Sequence, residues 1–117
     1  MDGSVKDLLA RLSARHASRI SEAAPLVDEV RSRLPAAAAA IRDRFGAREV
    51  ILFGSFARGT PIPNSDVDIA VQGVSARDHF RVMSFLSTAL GRTVDLVRLE
   101  DLEDGDRERL LAQSASA

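Results

Sequence analysis

Apolar residues recur at helical spacing through the first third of the chain. Between residues 4 and 20 they lie three or four positions apart, which predicts an amphipathic helix with Ser4 as its cap. Pro25 predicts the start of a second helix, because proline suits the first helical position. The apolar face of that second helix comprises Leu26, Val27, Val30 and Leu34.

Pro35 predicts a break or a kink after this face, since proline removes a helical hydrogen bond. The alanine-rich run 36–40 continues into Ile41 and Phe45 and predicts a third helical piece. Gly46 is expected to end it. The first 46 residues therefore predict three consecutive helical segments.

After residue 48 the apolar pattern changes to that of strands. Residues 49–53, 66–72 and 93–97 are rich in Val, Ile, Leu and Phe and predict three strands. Between the first two, Ser55 is predicted to cap a short helical turn that ends at Arg58. Gly, Pro, Asn and Ser then predict a loop.

Two further helices are predicted around the third strand. Ser75 and Asp78 resemble a capping box, and the helix behind them should run to Leu90 and stop at Gly91. Its predicted buried residues are Phe80, Met83, Phe85, Leu86 and Leu90. Residues 100–108 are acidic, and a short helix is predicted near 107–112.

The order of elements predicts an α+β (α/β) fold in which helices cover a small mixed β-sheet. Residues 1–34 are assigned to an N-terminal helical extension and residues 35–112 to the main domain. Residues 113–117 are expected to form a frayed tail.

Composition narrows the class of protein. The 117 residues are 45% hydrophobic and 28% charged, which is typical of one soluble domain. There is no cysteine, no run long enough to span a bilayer and no secretory core, so the cytoplasm is the expected location. Without Trp or Tyr and with a net charge of −1, direct nucleic-acid binding is not expected.

The second strand carries carboxylates on one face. Because side chains alternate along a strand, Asp66 and Asp68 point the same way, about 6–7 Å apart, while Val67 and its apolar partners face the core. Asp95 sits between two apolar residues of the third strand. If these strands are neighbours, three carboxylates converge and repel one another unless cations such as Mg²⁺ bind.

The turn before the second strand suits phosphate. Gly54 lets the backbone approach a phosphate closely, Ser55 offers a hydroxyl, and Arg58 can pair with phosphate oxygens. Taken alone, each residue has a simpler structural interpretation: the acids could lie at an exposed strand end, Ser55 could cap a helix, and Arg58 could be a surface side chain. Only the combination of these residues favours a catalytic site.

The stretch GSFARGTPIPNSDVDIAV, residues 54–71, resembles the Gly-Ser…Ser-Asp-x-Asp signature of the DNA-polymerase-β-like nucleotidyltransferases, and it is most similar to the minimal nucleotidyltransferase (MNT) group. The resemblance covers about residues 36–112. It implies that Asp66, Asp68 and Asp95 bind two Mg²⁺ ions and that Asp95 helps to activate the acceptor. It also implies that Gly54 and Ser55 hold the triphosphate of ATP, with Arg58 and Ser65 at matching motif positions.

The resemblance further implies transfer of AMP from ATP to a hydroxyl. Free-standing MNT proteins are commonly antitoxins paired with a HEPN-domain toxin, which would make this chain part of a hetero-oligomer and place the acceptor, a tyrosine, on the partner. Two alternatives remain open: a binding-only antitoxin or regulatory subunit that occludes its partner, and a small-molecule nucleotidyltransferase. The second is weakened because the chain has no room for an acceptor-binding domain.

Overall fold

The computed structural model describes the backbone of residues 2–116 and the side chains of residues 23–114. Helices and strands alternate after one long N-terminal helix. The helices are α1 (Asp2–Phe45), α2 (Gly54–Arg58), α3 (His79–Leu90) and α4 (Asp104–Ala112). The strands are β1 (Glu49–Phe53), β2 (Val67–Gln72), β3 (Val94–Arg98) and β4 (Ala115–Ser116). Two 3₁₀ turns, Ala76–Asp78 and Leu99–Asp101, precede α3 and α4.

The four strands form one mixed sheet in the order β3-β2-β1-β4. β1 is antiparallel to both β2 and β4, whereas β2 and β3 are parallel. Because β2 and β3 are parallel, the residues that begin them lie at the same end of the sheet. The prediction of a small mixed sheet covered by helices is confirmed.

The main core lies between one face of the sheet and the helices α1 and α3. The strands contribute the alternate residues that period two predicts, and α2 contributes Phe56, which is completely buried. A smaller cluster on the opposite face joins Ile51, Ala70 and Leu99, with Leu110 of α4 packed against it. The sheet therefore has buried apolar residues on both of its faces.

The prediction of three separate N-terminal helices is wrong, because α1 is continuous through Pro25 and Pro35. Both prolines are exposed, and the buried residues continue at helical spacing across them. These buried residues are Ala23, Val27, Val30, Leu34, Ala37, Ala38 and Ile41. Packing of this stripe offsets the hydrogen bond that each proline removes. The predicted stop at Gly46, which has φ 73°, is confirmed. The prediction that Ser4 caps the helix is wrong, because α1 begins at Asp2 and Ser4 lies inside it. The predicted apolar face of residues 4–20 lies outside the described side chains.

Three smaller predictions are also wrong. Phe53, not Ser55, stands at the N-cap of α2, and no side chain caps that helix. Phe80 is 74% exposed, because the buried face of α3 comprises Val82, Leu86 and Leu90, of which Leu86 and Leu90 were predicted. Residues 115–116 are not frayed, since they pair with β1 as β4. The division into an extension, a domain and a tail stays a prediction.

Candidate active site

The three predicted carboxylates meet at one end of the sheet. Asp68 of β2 stands opposite Asp95 of β3 in the parallel register and opposite Phe53 of β1 in the antiparallel register. Asp66 lies one residue before β2, so the loop rather than the ladder sets its position. The expectation that strands two and three are neighbours is thereby confirmed.

Asp68 is the carboxylate at the centre of this group. Burial raises its pKa, and the nearby charges of Asp95 and then Asp66 raise it further. Arg58 acts in the opposite direction and lowers the pKa. Asp66, Asp95 and Arg58, predicted to form the metal side and the phosphate side of one site, are thus close enough to change the pKa of Asp68.

Gly54 has a role at this site that differs from the predicted one. Its φ of 71° is in the left-handed region, where side chains are strained. A Cβ placed there would stand 3.0 Å from the carboxyl carbon of Asp68 and 3.2 Å from its Cβ. Glycine at this position therefore makes room for the Asp68 carboxylate at the end of β1. Close approach of a phosphate to the same backbone stays a prediction.

The phosphate-side residues lie on and beside the short helix α2. Ser55 lies in its first turn, and Arg58 is its last residue. Nη1 of Arg58 donates a hydrogen bond to Oε1 of Gln113, 3.1 Å away, so the segment after α4 contacts this arginine. Gly59 follows with φ 78° and lets the chain turn into the loop.

Ser65 stabilises the loop that precedes Asp66. Its hydroxyl accepts a hydrogen bond from the backbone N–H of Ile62 at 2.9 Å, and its own N–H donates to the Ile62 carbonyl at 2.9 Å. This pair of bonds closes a tight turn just before the aspartate. The predicted contact of Ser65 with the nucleotide stays a prediction.

Arg92 is a site residue that the sequence analysis missed. It lines an open pocket of about 250 Å³ between residues 63–66 and 91–93, beside Asp66. A single arginine before a strand carries no local signal of such a role.

The residues fit a hard divalent cation in their chemistry. Carboxylate oxygens are the ligands that Mg²⁺ prefers. Burial and then the charges of Asp95 and Asp66 raise the pKa of Asp68, which is the environment expected where a cation would stabilise the ionised carboxylates. Within residues 23–114, no three acidic or histidine side chains stand close enough, as they are placed, to hold one ion. Binding would therefore require the carboxylates to turn toward the ion.

Comparison with known proteins identifies the chain. The family model of the nucleotidyltransferase domain matches residues 34–115, which include α2, β2, β3 and all of the residues above. The chain belongs to the nucleotidyltransferase domain family. The resemblance drawn from residues 54–71 is thereby confirmed, and so is the assignment as a nucleotidyltransferase.

Individual relatives of this nucleotidyltransferase carry more specific names. The protein adenylyltransferase MntA of Thermococcus cleftensis is 36% identical over 90 residues, which are 74% of this chain and 91% of the relative. A solved structure named as a candidate minimal nucleotidyltransferase has a TM-score of 0.68 and 33% identity, over 78% of this chain and 95% of that one.

A further solved structure is a toxin–antitoxin with AMP-PNP. It matches this nucleotidyltransferase with a TM-score of 0.58 and 30% identity, over 65% of this chain. The chain spans 64% of the length of that relative. A nucleotide substrate is therefore implied by the family and by a nucleotide-bound neighbour.

No helix among the described residues is both long enough and apolar enough to cross a bilayer.

Proposed function

We propose that this chain is a Mg²⁺-dependent protein adenylyltransferase that acts as the antitoxin of a HEPN ribonuclease toxin. It transfers AMP from ATP to a hydroxyl, a tyrosine of that toxin, in the cytoplasm, where the two proteins form a hetero-oligomer. The observation that carries this function is the meeting of Asp66, Asp68 and Asp95 beside Arg58 at one end of the sheet. The relative named protein adenylyltransferase MntA supports the type of acceptor.

In the proposed reaction, the acceptor oxygen attacks the α-phosphorus of ATP. The bond from that phosphorus to the bridging oxygen of the β-phosphate breaks, and pyrophosphate leaves. Asp95 takes up the proton of the hydroxyl, since it is an exposed carboxylate beside the other two acids. Arg58 pairs with phosphate oxygens, and Gly54, Ser55 and Ser65 hold the triphosphate.

Asp66, Asp68 and Asp95 would hold two Mg²⁺ ions. Such ions neutralise charge on the triphosphate and lower the pKa of the attacking hydroxyl. The pKa of Asp68 supports this assignment: burial raises it most, and the charges of Asp95 and Asp66 raise it further, so a cation beside the three carboxylates would stabilise them.

The absence of tyrosine from this chain makes it simple to test which protein accepts AMP. This chain contains no tyrosine, so any AMP attached to tyrosine must lie on another protein. We therefore expect label from ATP that is radioactive in its α-phosphate to appear on the toxin encoded beside this chain. Mass spectrometry of the labelled toxin should find the adduct on tyrosine.

The decisive variant is Asp66→Asn/Asp68→Asn. It should abolish labelling, and its matched control is Glu100→Gln/Asp101→Asn, which removes two negative charges at the other end of the sheet. The control should label the toxin at the wild-type rate. If the Asp66→Asn/Asp68→Asn protein protects cells from the toxin as well as wild type does, transfer is not required and the binding-only antitoxin is correct.

A further inference from the structure

Arg92 lies where α3 passes into β3. Gly91, with φ 68°, ends α3, and β3 begins two residues after Arg92. Nη2 of Arg92 donates to two backbone carbonyls of the loop before β2, those of Pro63 and of Ser65, the second at 3.1 Å. One guanidinium thus joins the start of β3 to the loop that leads to Asp66.

The same guanidinium also contacts α2. Its Cζ lies 5.3 Å from the centre of the Phe56 ring, a cation–π contact with a side chain that is completely buried. Nε of Arg92 is buried and has no hydrogen-bond partner among the described residues. A buried unpaired N–H is unfavourable, so the ring contact and the two carbonyl bonds must offset its cost.

We propose, on the basis of the transfer reaction above, that Arg92 is a positioning residue for the active site. It ties together the three segments that carry the site: α2 with Ser55 and Arg58, the loop before Asp66, and the strand of Asp95. It is placed to act through these segments, not on the reacting atoms.

Asp66 is the carboxylate that most depends on this contact. Asp68 and Asp95 lie in paired strands, so the ladder sets their backbones. Asp66 precedes β2, and the nearest ladder bond is that from the Val67 N–H to the Thr93 carbonyl, at 2.9 Å. The carbonyl of Ser65 belongs to the same planar peptide group as the N–H of Asp66. The hydrogen bond from Arg92 fixes the plane of this peptide group, and so it sets the direction in which the Asp66 side chain points.

A matched control exists in α4. Arg107 also donates from Nη2 to a backbone carbonyl, that of Leu99 at 2.8 Å, and its Nε is also buried without a partner among the described residues. It binds the 3₁₀ turn that follows β3, at the end of that strand opposite to the carboxylates. Arg107→Ala therefore removes a contact of the same kind without touching the site.

The first measurement is transfer to the toxin at varied ATP concentration, corrected for the folded fraction. We expect Arg92→Ala to lower kcat by about 10- to 100-fold, since small displacements of catalytic groups have effects of this size, with KM for ATP within about threefold of wild type. Arg92→Lys keeps a cationic N–H donor group but loses the planar fork of the guanidinium, so it should recover part of kcat. Arg107→Ala should keep both constants. Equal losses of kcat in Arg92→Ala and Arg107→Ala would overturn the proposal.

The second measurement needs neither toxin nor activity. Amide hydrogen exchange should become at least about tenfold faster at Ser65 and Val67 in Arg92→Ala, because the loop loses both carbonyl contacts, and should stay unchanged there in Arg107→Ala. Unchanged exchange in Arg92→Ala contradicts the proposal. If wild type transfers no label but the exchange result holds, the positioning of the loop stands and the transferase function is what fails.

Discussion

At the two ends of the sheet, the pKa values of acidic residues are shifted in opposite directions. At the end where β2 and β3 begin, Asp68 faces Asp95 and Asp66, and burial together with these charges raises its pKa. At the end where the two strands finish, Glu100 accepts a hydrogen bond from the Gly73 N–H at 2.8 Å. Burial acts to raise its pKa as well, but hydrogen bonds from the N–H groups of Gly73 and Glu100 itself and the charges of Arg98 and Arg48 outweigh it and lower it.

The difference separates acids that hold the fold together from acids that weaken it. Glu100 and the Arg98–Asp101 ion pair, at 2.8 Å, link the strand ends. At the other end, burial of Asp68 and the charges of Asp95 and Asp66 disfavour its ionised form, and Arg58 offsets only part of this cost. Such a cost to stability is typical of functional sites.

The largest expected effect is that of Asp68→Asn. We expect transfer to fall about 10³-fold, the upper end for loss of one charge-stabilising group. Because the pKa of Asp68 is raised, the folded protein binds its proton more tightly than the unfolded chain, so stability falls as pH rises through that pKa. A neutral Asn removes this cost, and urea unfolding at pH 7 without Mg²⁺ should show a more stable protein.

The counterpart at the other end is Glu100→Gln, which should do the reverse: full transfer and lower stability. If Asp68→Asn is less stable than wild type at pH 7 in metal-free buffer, the contrast between the two ends is wrong.

A second comparison uses one glycine from each end. Gly54 and Gly73 both have positive φ, 71° and 94°, and a Cβ on Gly73 would stand 2.8 Å from the Gly46 carbonyl oxygen. Replacement by Ala should destabilise each protein by at least about 1–2 kcal/mol, the cost of a left-handed side chain. Only Gly54→Ala should also lower transfer per folded molecule, by about 100-fold, because it displaces Asp68.

The measurement is chemical denaturation of both variants alongside labelling of the toxin. Gly59→Ala is the control for strain alone, since its φ is 78° and a Cβ there meets nothing within 4 Å. Transfer by Gly54→Ala at the rate of Gly59→Ala would show that the space for Asp68 does not matter.

A smaller effect is expected for Arg58→Ala. Loss of a charge-assisted contact with phosphate, about 1.5–3 kcal/mol, should raise KM for ATP by at least about tenfold. Gln113→Ala removes only the hydrogen bond at 3.1 Å that Arg58 donates and tests how much that contact contributes. Steady-state kinetics with both variants separates the roles. Equal KM values for Arg58→Ala and wild type would remove Arg58 from the nucleotide site.

The smallest expected effect is the pH dependence of stability that is due to Glu100, at the end of the sheet where β2 and β3 finish. The pKa of Glu100 is below its ordinary value, so its contribution to stability is present above the unfolded pKa, near 4.5, and is lost as pH falls through the folded pKa. Glu100 is largely exposed, so Glu100→Gln should destabilise by only about 0.5 kcal/mol at pH 7. Urea unfolding at pH 7, 5 and 3 should show that the difference in the free energy of unfolding between wild type and Glu100→Gln decreases with pH and vanishes at the lowest pH. A constant difference across that range would contradict the assignment.

Much of the site was predictable because its signals are local. The alternation of residues 66–72 predicted Asp66 and Asp68 on one face, and it is correct for Asp68, which lies in β2, whereas Asp66 lies one residue before the strand. The Gly-Ser turn and the following Asp-x-Asp are also short-range patterns, and they were enough to indicate a nucleotidyltransferase. The helix α3 and its stop at Gly91 followed from the same kind of local pattern.

Other features required partners distant in sequence. Only the parallel register of β2 and β3 decides that Asp95 faces Asp68 and not another residue of that strand. Only packing of its apolar stripe keeps α1 continuous through two prolines. The contact of Arg92 with Ser65 spans 27 residues, and no local pattern encodes it.

The sequence by itself thus determined the family of the chain and predicted which acids, which glycine and which arginine form the site, although it gave no indication of Arg92. The tertiary structure decided their arrangement, because strand pairing and carbonyl contacts depend on which segments meet, and that depends on burial of the whole core. It also showed that Gly54 makes room for Asp68.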